Sequence, residues 1–162
     1  MADVLIALGG NVGEVRATFD RAIPLIVAHT NGTLLARSSD YETPPWGDTQ
    51  QAPFINACIR LETAIEPRAL LATLHAVEKE FGRDRASERR WGPRTLDLDL
   101  LAYDDLAINS PDLTLPHPRL FERAFVLVPL AEVAPDRTIA GRTPAAALKG
   151  LSTAGIRRLP PL

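Results

Sequence analysis

The stretch Arg90-Trp91-Gly92-Pro93-Arg94-Thr95-Leu96-Asp97-Leu98-Asp99-Leu100 ends in strict alternation of leucine and aspartate. That two-residue period constrains the fold more than any other feature of the chain. Successive side chains of an extended strand point to opposite faces, so Leu96, Leu98 and Leu100 are expected to bury one face while Asp97 and Asp99 stand together on the other. Two like charges about 6 to 7 Å apart repel, and a cation between them removes the conflict. Magnesium fits this geometry: it usually takes one or two protein carboxylates and completes its octahedron with water and substrate phosphates. Guanidinium groups match phosphate oxygens in a bidentate way, so an acidic strand preceded by Arg90 and Arg94 suits a magnesium-bound polyphosphate. The structural alternative is a pair of exposed acids neutralised by those arginines as surface salt bridges.

Composition narrows the partners. The chain has 162 residues, 46% of them hydrophobic and 23% charged, enough for one domain spanning 1–162 with a full core. A net charge of −2 argues against nonspecific binding to nucleic acid or an anionic membrane, both of which need a basic surface. Arg83, Arg85, Arg89, Arg90 and Arg94 nevertheless cluster within twelve residues, a local positive charge that points to a small anionic ligand. Cys58 is the single cysteine, so no intrachain disulfide forms and a reducing cytoplasm is the expected setting. No basic-then-apolar leader and no long apolar run is evident. A soluble cytoplasmic monomer is the expectation.

Along the chain, Val4 to Leu8 reads as a buried strand stopped by Gly9-Gly10-Asn11. Val15, Phe19, Ala22, Ile23 and Ile26 recur at helical spacing, with Pro24 expected to kink or shorten that helix. Leu34 to Thr43 and Phe54 to Glu62 read as strands, the latter with Ile55, Ala57, Ile59 and Leu61 on one face. The proline-rich segment between them reads as a loop. Pro67 opens a second helix, whose stripe of Leu70, Leu71, Leu74, Val77 and Phe81 stops at Gly82. Adding the Asp-x-Asp strand gives βαββαβ, a ferredoxin-like α+β sandwich with an antiparallel sheet and helices on one sheet face. Prolines beyond Ala107 imply an irregular C-terminal extension packed on the domain, with short helices near Ala124 to Ala131 and Pro144 to Leu151.

Seven segments in this order carry a resemblance: Ala7-Leu8-Gly9-Gly10-Asn11, Tyr41-Glu42-Thr43-Pro44-Pro45, Phe54-Ile55-Asn56, Glu78 with Phe81-Gly82-Arg83, Arg90 through Leu100, Leu115-Pro116-His117-Pro118, and Arg123-Ala124-Phe125. From end to end the chain resembles the 6-hydroxymethyl-7,8-dihydropterin pyrophosphokinases, which transfer diphosphate from ATP to a pterin alcohol in folate biosynthesis. The resemblance implies that Asp97 and Asp99 hold two magnesium ions bridging the ATP phosphates, and that Arg83 and Arg94 act in the transition state. It further implies ATP contacts from Glu78, Arg85, Arg90, Trp91, Leu100, Thr114, His117 and Arg123. The pterin is expected against Thr43, Pro44, Pro45, Trp46, Phe54, Asn56 and Phe125: a flat heteroaromatic ring between two phenylalanines, its amide-like edge read by Asn56. His75 stands where the family commonly has glutamine, Gly10 replaces a frequent serine, and the loop before Trp91 is one residue longer, with Arg89 as the extra arginine.

Two other readings compete. A ferredoxin-like sheet also serves RNA-recognition modules, but those need exposed aromatics on the central strands and a basic face. A catalytically inactive nucleotide-binding relative would keep the fold, and the intact acids and arginines oppose that reading.

Overall fold

The computed structural model describes residues 1–44, 50–82 and 95–162. Strand β1 (Ala2–Gly10) is followed by α1 (Val15–Thr30), β2 (Thr33–Arg37), β3 (Tyr41–Thr43), β4 (Phe54–Thr63), α2 (Pro67–Glu80) and β5 (Asp97–Tyr103). Every pairing among these strands is antiparallel, in the order β5-β1-β4, with β2 and β3 side by side along the far edge of β4. This is the expected ferredoxin-like arrangement.

Local chemistry explains the elements. Glu66 caps α2 by accepting from the backbone N–H groups of Ala69 at 2.7 Å and Arg68 at 3.2 Å, Pro67 occupies a position whose N–H has no intrahelical partner, and Gly82 ends the turn at φ +88°. Helix α1 runs through Pro24 without interruption, because the ring sits on the exposed side, where water can satisfy the carbonyl it orphans. The expected strand from Leu34 to Thr43 is broken into β2 and β3. At the break Ser38 donates its N–H to Cys58 O, and its hydroxyl accepts from Cys58 N–H, both at 2.9 Å. A side chain thus replaces one rung of the ladder.

The sheet is covered on both faces. One face carries Val4, Ile6, Leu8, Ala57, Ile59, Leu61, Leu98 and Leu100 against α1 and α2, as the alternation in β4 and β5 predicts. The other carries Leu5, Ala7, Cys58, Leu101 and Ala102 against the C-terminal extension. A β-bulge places both Leu101 and Ala102 on that second face. The extension comprises the hairpin of β6 (Ile108–Asn109) and β7 (Thr114–Leu115), a short 3-10 turn, α3 (Ala124–Val133), α4 (Pro144–Leu148) and β8 (Arg157–Arg158). Helices therefore lie on two faces and not one, because Leu5, Leu101 and Ala102 leave an apolar surface that α3 covers with Val126, Leu127, Leu130 and Val133. β8 returns to the sheet and pairs with β3.

Candidate active site

The acids of β5 define the site. Their alternation puts Leu96, Leu98 and Leu100 in the core at 0%, 1% and 4% exposure, leaving Asp97 and Asp99 half-buried on the α3 side. Residues paired across antiparallel strands share a face, so the register identifies their neighbours. Asp97 lies opposite Gly9, Gly9 opposite Asn56, and Asn56 opposite Tyr41; one step further along, Asp99 lies opposite Ala7 and Ala7 opposite Cys58. Gly9 and Ala7 thus form a low floor between the carboxylates and Asn56, whose backbones stand two strand spacings apart, about 10 Å.

Asn56 is held in place. Its Nδ2 donates to Thr43 Oγ1 at 2.9 Å, and both residues are buried. Its Oδ1 lies over Gly9 so closely that a Cβ there would come within 2.9 Å. The glycine that the sequence marks as a strand stop is instead a paired residue of β1, kept small by the amide above it. Thr43 pairs with Phe54 on the same face, and Asn11 closes the end of the loop, its Nδ2 donating to Gln51 Oε1 at 2.8 Å and Ala52 O at 2.9 Å. Phe125, at the start of α3, is half-buried, with the Arg123 guanidinium 5.7 Å from its ring centre.

The charge around the acids is positive. Burial lowers the pKa of the Arg123 guanidinium, while Asp99 and Asp97 pull it back up. Burial likewise lowers the pKa of His117, helped by Arg123 and Arg119 and opposed by Asp97. His117 is anchored by its N–H to Leu101 O at 2.9 Å, and its Nδ1 accepts from Arg119 N–H at 3.2 Å. A neutral imidazole accepting at Nδ1 carries its proton on Nε2, which gives the site a fixed donor.

Beyond β5 a cleft of about 250 Å³ opens between α2 and the β6–β7 hairpin, with Leu71, His75, Asp99, Leu100, Thr114 and His117 among its walls. Arg68 of α2 pairs with Asp112 of the hairpin at 3.0 Å, an exposed link between the two sides of the cleft. Asp97 and Asp99 therefore stand between this edge cleft and the Gly9–Asn56 floor. Glu78 is different: it is 1% exposed and its Oε2 accepts from Leu98 N–H at 2.7 Å, so it ties α2 to the residue between the two acids.

Of the residues singled out in the sequence, the structure brings together Asp97, Asp99, Asn56, Thr43, Phe54, Phe125, His117 and Arg123 around the floor, and Leu100 and Thr114 at the cleft. Pro44 is exposed at the end of β3. Pro45, Trp46, Arg83, Arg85, Arg89, Arg90, Trp91 and Arg94 lie outside the described residues. Sequence reasoning did not single out Leu71 or Asp112 as cleft residues, since Leu71 belongs to an apolar helix stripe and reads as core.

A model of the 7,8-dihydro-6-hydroxymethylpterin-pyrophosphokinase family matches residues 5–135. The chain belongs to this family. A 2-amino-4-hydroxy-6-hydroxymethyldihydropteridine pyrophosphokinase of Methylorubrum extorquens is 45% identical over 159 residues, 98% of this chain and 99% of the relative. The Pseudomonas aeruginosa protein of the same description is 40% identical over 158 residues, 97% of this chain and 96% of its own. Among solved structures, an HPPK-DHPS in complex with substrates superposes with a TM-score of 0.74 at 11% identity, a likeness of fold. The match covers 92% of this chain and 43% of that one, so the chain corresponds to less than half of the two-part protein.

Proposed function

We propose that this chain transfers the terminal diphosphate of ATP to the hydroxymethyl group of 6-hydroxymethyl-7,8-dihydropterin, releasing AMP, as a single-domain cytoplasmic monomer in folate biosynthesis. The observation that carries this reading is the row Asp97–Gly9–Asn56, which sets a carboxylate pair beside a flat floor ending in a buried amide. A bicyclic ring lying on Gly9 and Ala7 puts its amide-like edge at Asn56 and its hydroxymethyl arm toward the acids. Phe54 and Phe125 flank it.

Asp97 and Asp99 suit magnesium as hard oxygen donors sharing one face. Among the described residues no group of three or more His, Cys, Asp or Glu gathers into a protein-only metal cage, so the remaining ligands would be phosphate and water. The two ions of this reading would offset charge on the phosphate oxygens and lower the pKa of the acceptor hydroxyl. The hydroxyl oxygen bonds to the β-phosphorus, the bond from that phosphorus to the bridging oxygen breaks, AMP leaves, and the hydroxyl proton passes to solvent. No protein base is assigned. His117 donates from Nε2, and Arg123 opposes the growing negative charge. Arg83 and Arg94 act on the same charge, and Arg85, Arg90, Trp91, Leu100 and Thr114 contact ATP. Glu78, which the resemblance places among the ATP contacts, acts here by aligning the acid strand. Pro44, Pro45 and Trp46 border the pterin.

AMP release from ATP, followed with and without 6-hydroxymethyl-7,8-dihydropterin and with and without magnesium, tests the proposal. Formation of AMP only when pterin and magnesium are both present is expected. ATP cleavage indifferent to the pterin, or no cleavage with retention on single-stranded RNA, would refute it.

A further inference from the structure

The family match ends at residue 135, yet the segment beyond it reaches the acceptor side of the site. β8 adds to the outer edge of β3, pairing Arg158 with Tyr41 and Arg157 with Glu42. The three-residue β3 is the strand that delivers Thr43, and Thr43 holds Asn56.

The tail is tied to this strand and its approach at several points. Leu159 donates its N–H to Asp40 O at 2.9 Å, Arg158 Nε to Ser39 Oγ at 2.9 Å, and Arg157 pairs with Glu42 at 3.2 Å. Arg16 of α1 bridges the buried Asp40, at 2.9 Å, and the carbonyl of Pro160. From the other side Glu132 of α3 accepts from Tyr41 Oη and from Ser39 N–H, both at 2.7 Å.

The decisive contact is at the tail's turn. Gly155 has φ +83°, and a Cβ there would lie 2.9 Å from Pro44 Cγ and 3.4 Å from its Cδ. The turn therefore rests against the ring of the residue that follows Thr43. A short strand sandwiched between β4 and β8, with its exit proline pressed by the tail, has its Thr43 position set from both edges.

We infer that the C-terminal turn and strand, through Gly155 against Pro44 and β8 against β3, form a positioning element of the acceptor site that sets affinity for the pterin and not for ATP. The inference rests on the function proposed above. Gly155 is a positioning residue in this arrangement and acts through Pro44, Thr43 and Asn56.

The test compares Gly155→Ala with Gly141→Ala. Gly141 has φ +82° with nothing within 4 Å of a built Cβ, so its substitution imposes the same backbone strain without a collision. Gly155→Asn serves as a second variant, because asparagine tolerates the left-handed region while its Cβ still meets Pro44. The full-length proteins are titrated with 6-hydroxymethyl-7,8-dihydropterin in the presence of a nonhydrolysable ATP analogue and magnesium, and separately with the analogue alone.

Both Gly155 variants are expected to raise the pterin Kd about tenfold, equivalent to about 1.4 kcal/mol, with analogue affinity within about twofold of the parent. Gly141→Ala should leave both affinities unchanged. A parent that binds no pterin would overturn the proposed function and this inference with it. If the parent binds and the Gly155 variants bind as tightly, or if Gly141→Ala weakens pterin binding equally, the inference alone is overturned.

Discussion

Replacing Gly9 with alanine should weaken pterin binding while changing the stability of the fold little. The added Cβ would meet Asn56 Oδ1 at 2.9 Å, whereas the next atoms, Asn56 Cγ and Ile55 O, lie at 3.9 Å. Restoring an ordinary 3.4 Å contact moves the carboxamide by the difference, half an ångström. That displacement stretches the 2.9 Å bond from Asn56 Nδ2 to Thr43 Oγ1 toward the limit of hydrogen bonding. A typical net hydrogen bond contributes about 0.5 to 1.5 kcal/mol. Loss of one ring contact together with a weakened Thr43 bond comes to about 1 to 2 kcal/mol, or a pterin Kd raised about five- to thirtyfold. The backbone responds in the opposite direction. Gly9 is paired on both sides, and glycine within a strand is less favourable than alanine by roughly 0.5 to 1 kcal/mol. Set against this gain, the weakened Asn56–Thr43 bond costs the folded protein about 0.5 to 1.5 kcal/mol, so at about 2 to 4 °C per kcal/mol for a domain of this size Tm should move by no more than about 4 °C in either direction. Calorimetric titration with pterin in the presence of an ATP analogue, paired with scanning calorimetry, reads both quantities. A Kd within about twofold of the parent would refute the placement of the ring on Gly9, and a Tm lowered by roughly 10 °C or more would show that more than the Asn56 carboxamide has to yield.

Other substitutions probe the acids, their support and the histidine. Asp97→Ala and Asp99→Ala should each nearly abolish turnover with an unchanged circular dichroism spectrum; turnover within about tenfold of the parent, a loss of only about 1.4 kcal/mol, would contradict their assignment. Glu78→Ala strips Leu98 N–H of its buried acceptor and should destabilise by about 1 to 3 kcal/mol, lowering Tm by about 2 to 12 °C, whereas Glu78→Gln, which keeps an acceptor oxygen, should lose less. An unchanged Tm with weakened ATP binding would instead make Glu78 a direct nucleotide contact. His117 titrates below its ordinary 6.5 because of burial, then Arg123 and Arg119, against the pull of Asp97. The unfolded chain therefore takes up that proton first, and the stability tied to the neutral ring is complete above about pH 6.5 and declines as pH falls through the lowered value. Thermal unfolding between pH 7.5 and 5.5 should show a steeper loss in the parent than in His117→Asn; equal slopes would refute the depressed pKa.

The parts of this fold legible in the sequence are those in which a local pattern has one physical solution. Leucines alternating with aspartates can bury only one face of a strand, and β5 does so. Pro67 and Gly82 bracket α2 because each satisfies a backbone requirement at a helix end. Pro24 argues for a kinked or shortened α1, yet the helix continues past it to Thr30 with the ring on the exposed side, and which side of a helix faces water is decided by tertiary packing. The division of β2 from β3 is hidden for the same reason, since Ser38 continues the ladder through its hydroxyl and its partner, Cys58, lies twenty residues away. β8 has no signal of its own. Two arginines become a strand only because the edge of β3 offers them unpaired backbone groups.

The site divides along the same line. Asp97, Asp99, Asn56 and His117 are chemically distinctive and stand out in the sequence, whereas the floor of the candidate site is made of residues notable for what they lack. Gly9 and Ala7 read as a strand end and as core, and nothing local shows that their smallness clears a floor between polar groups on the two strands that flank β1. The meaning of Gly9 comes from register: β1 must continue to Gly10 for Asp97 and Asn56 to fall on one row. A shift of either pairing by one residue would turn Asp97 or Asn56 to the opposite face. The leucines of β5 and the Ile55, Ala57, Ile59 and Leu61 stripe of β4 exclude that shift by burial against α1 and α2, so the core face that carries no chemistry is what aligns the face that does.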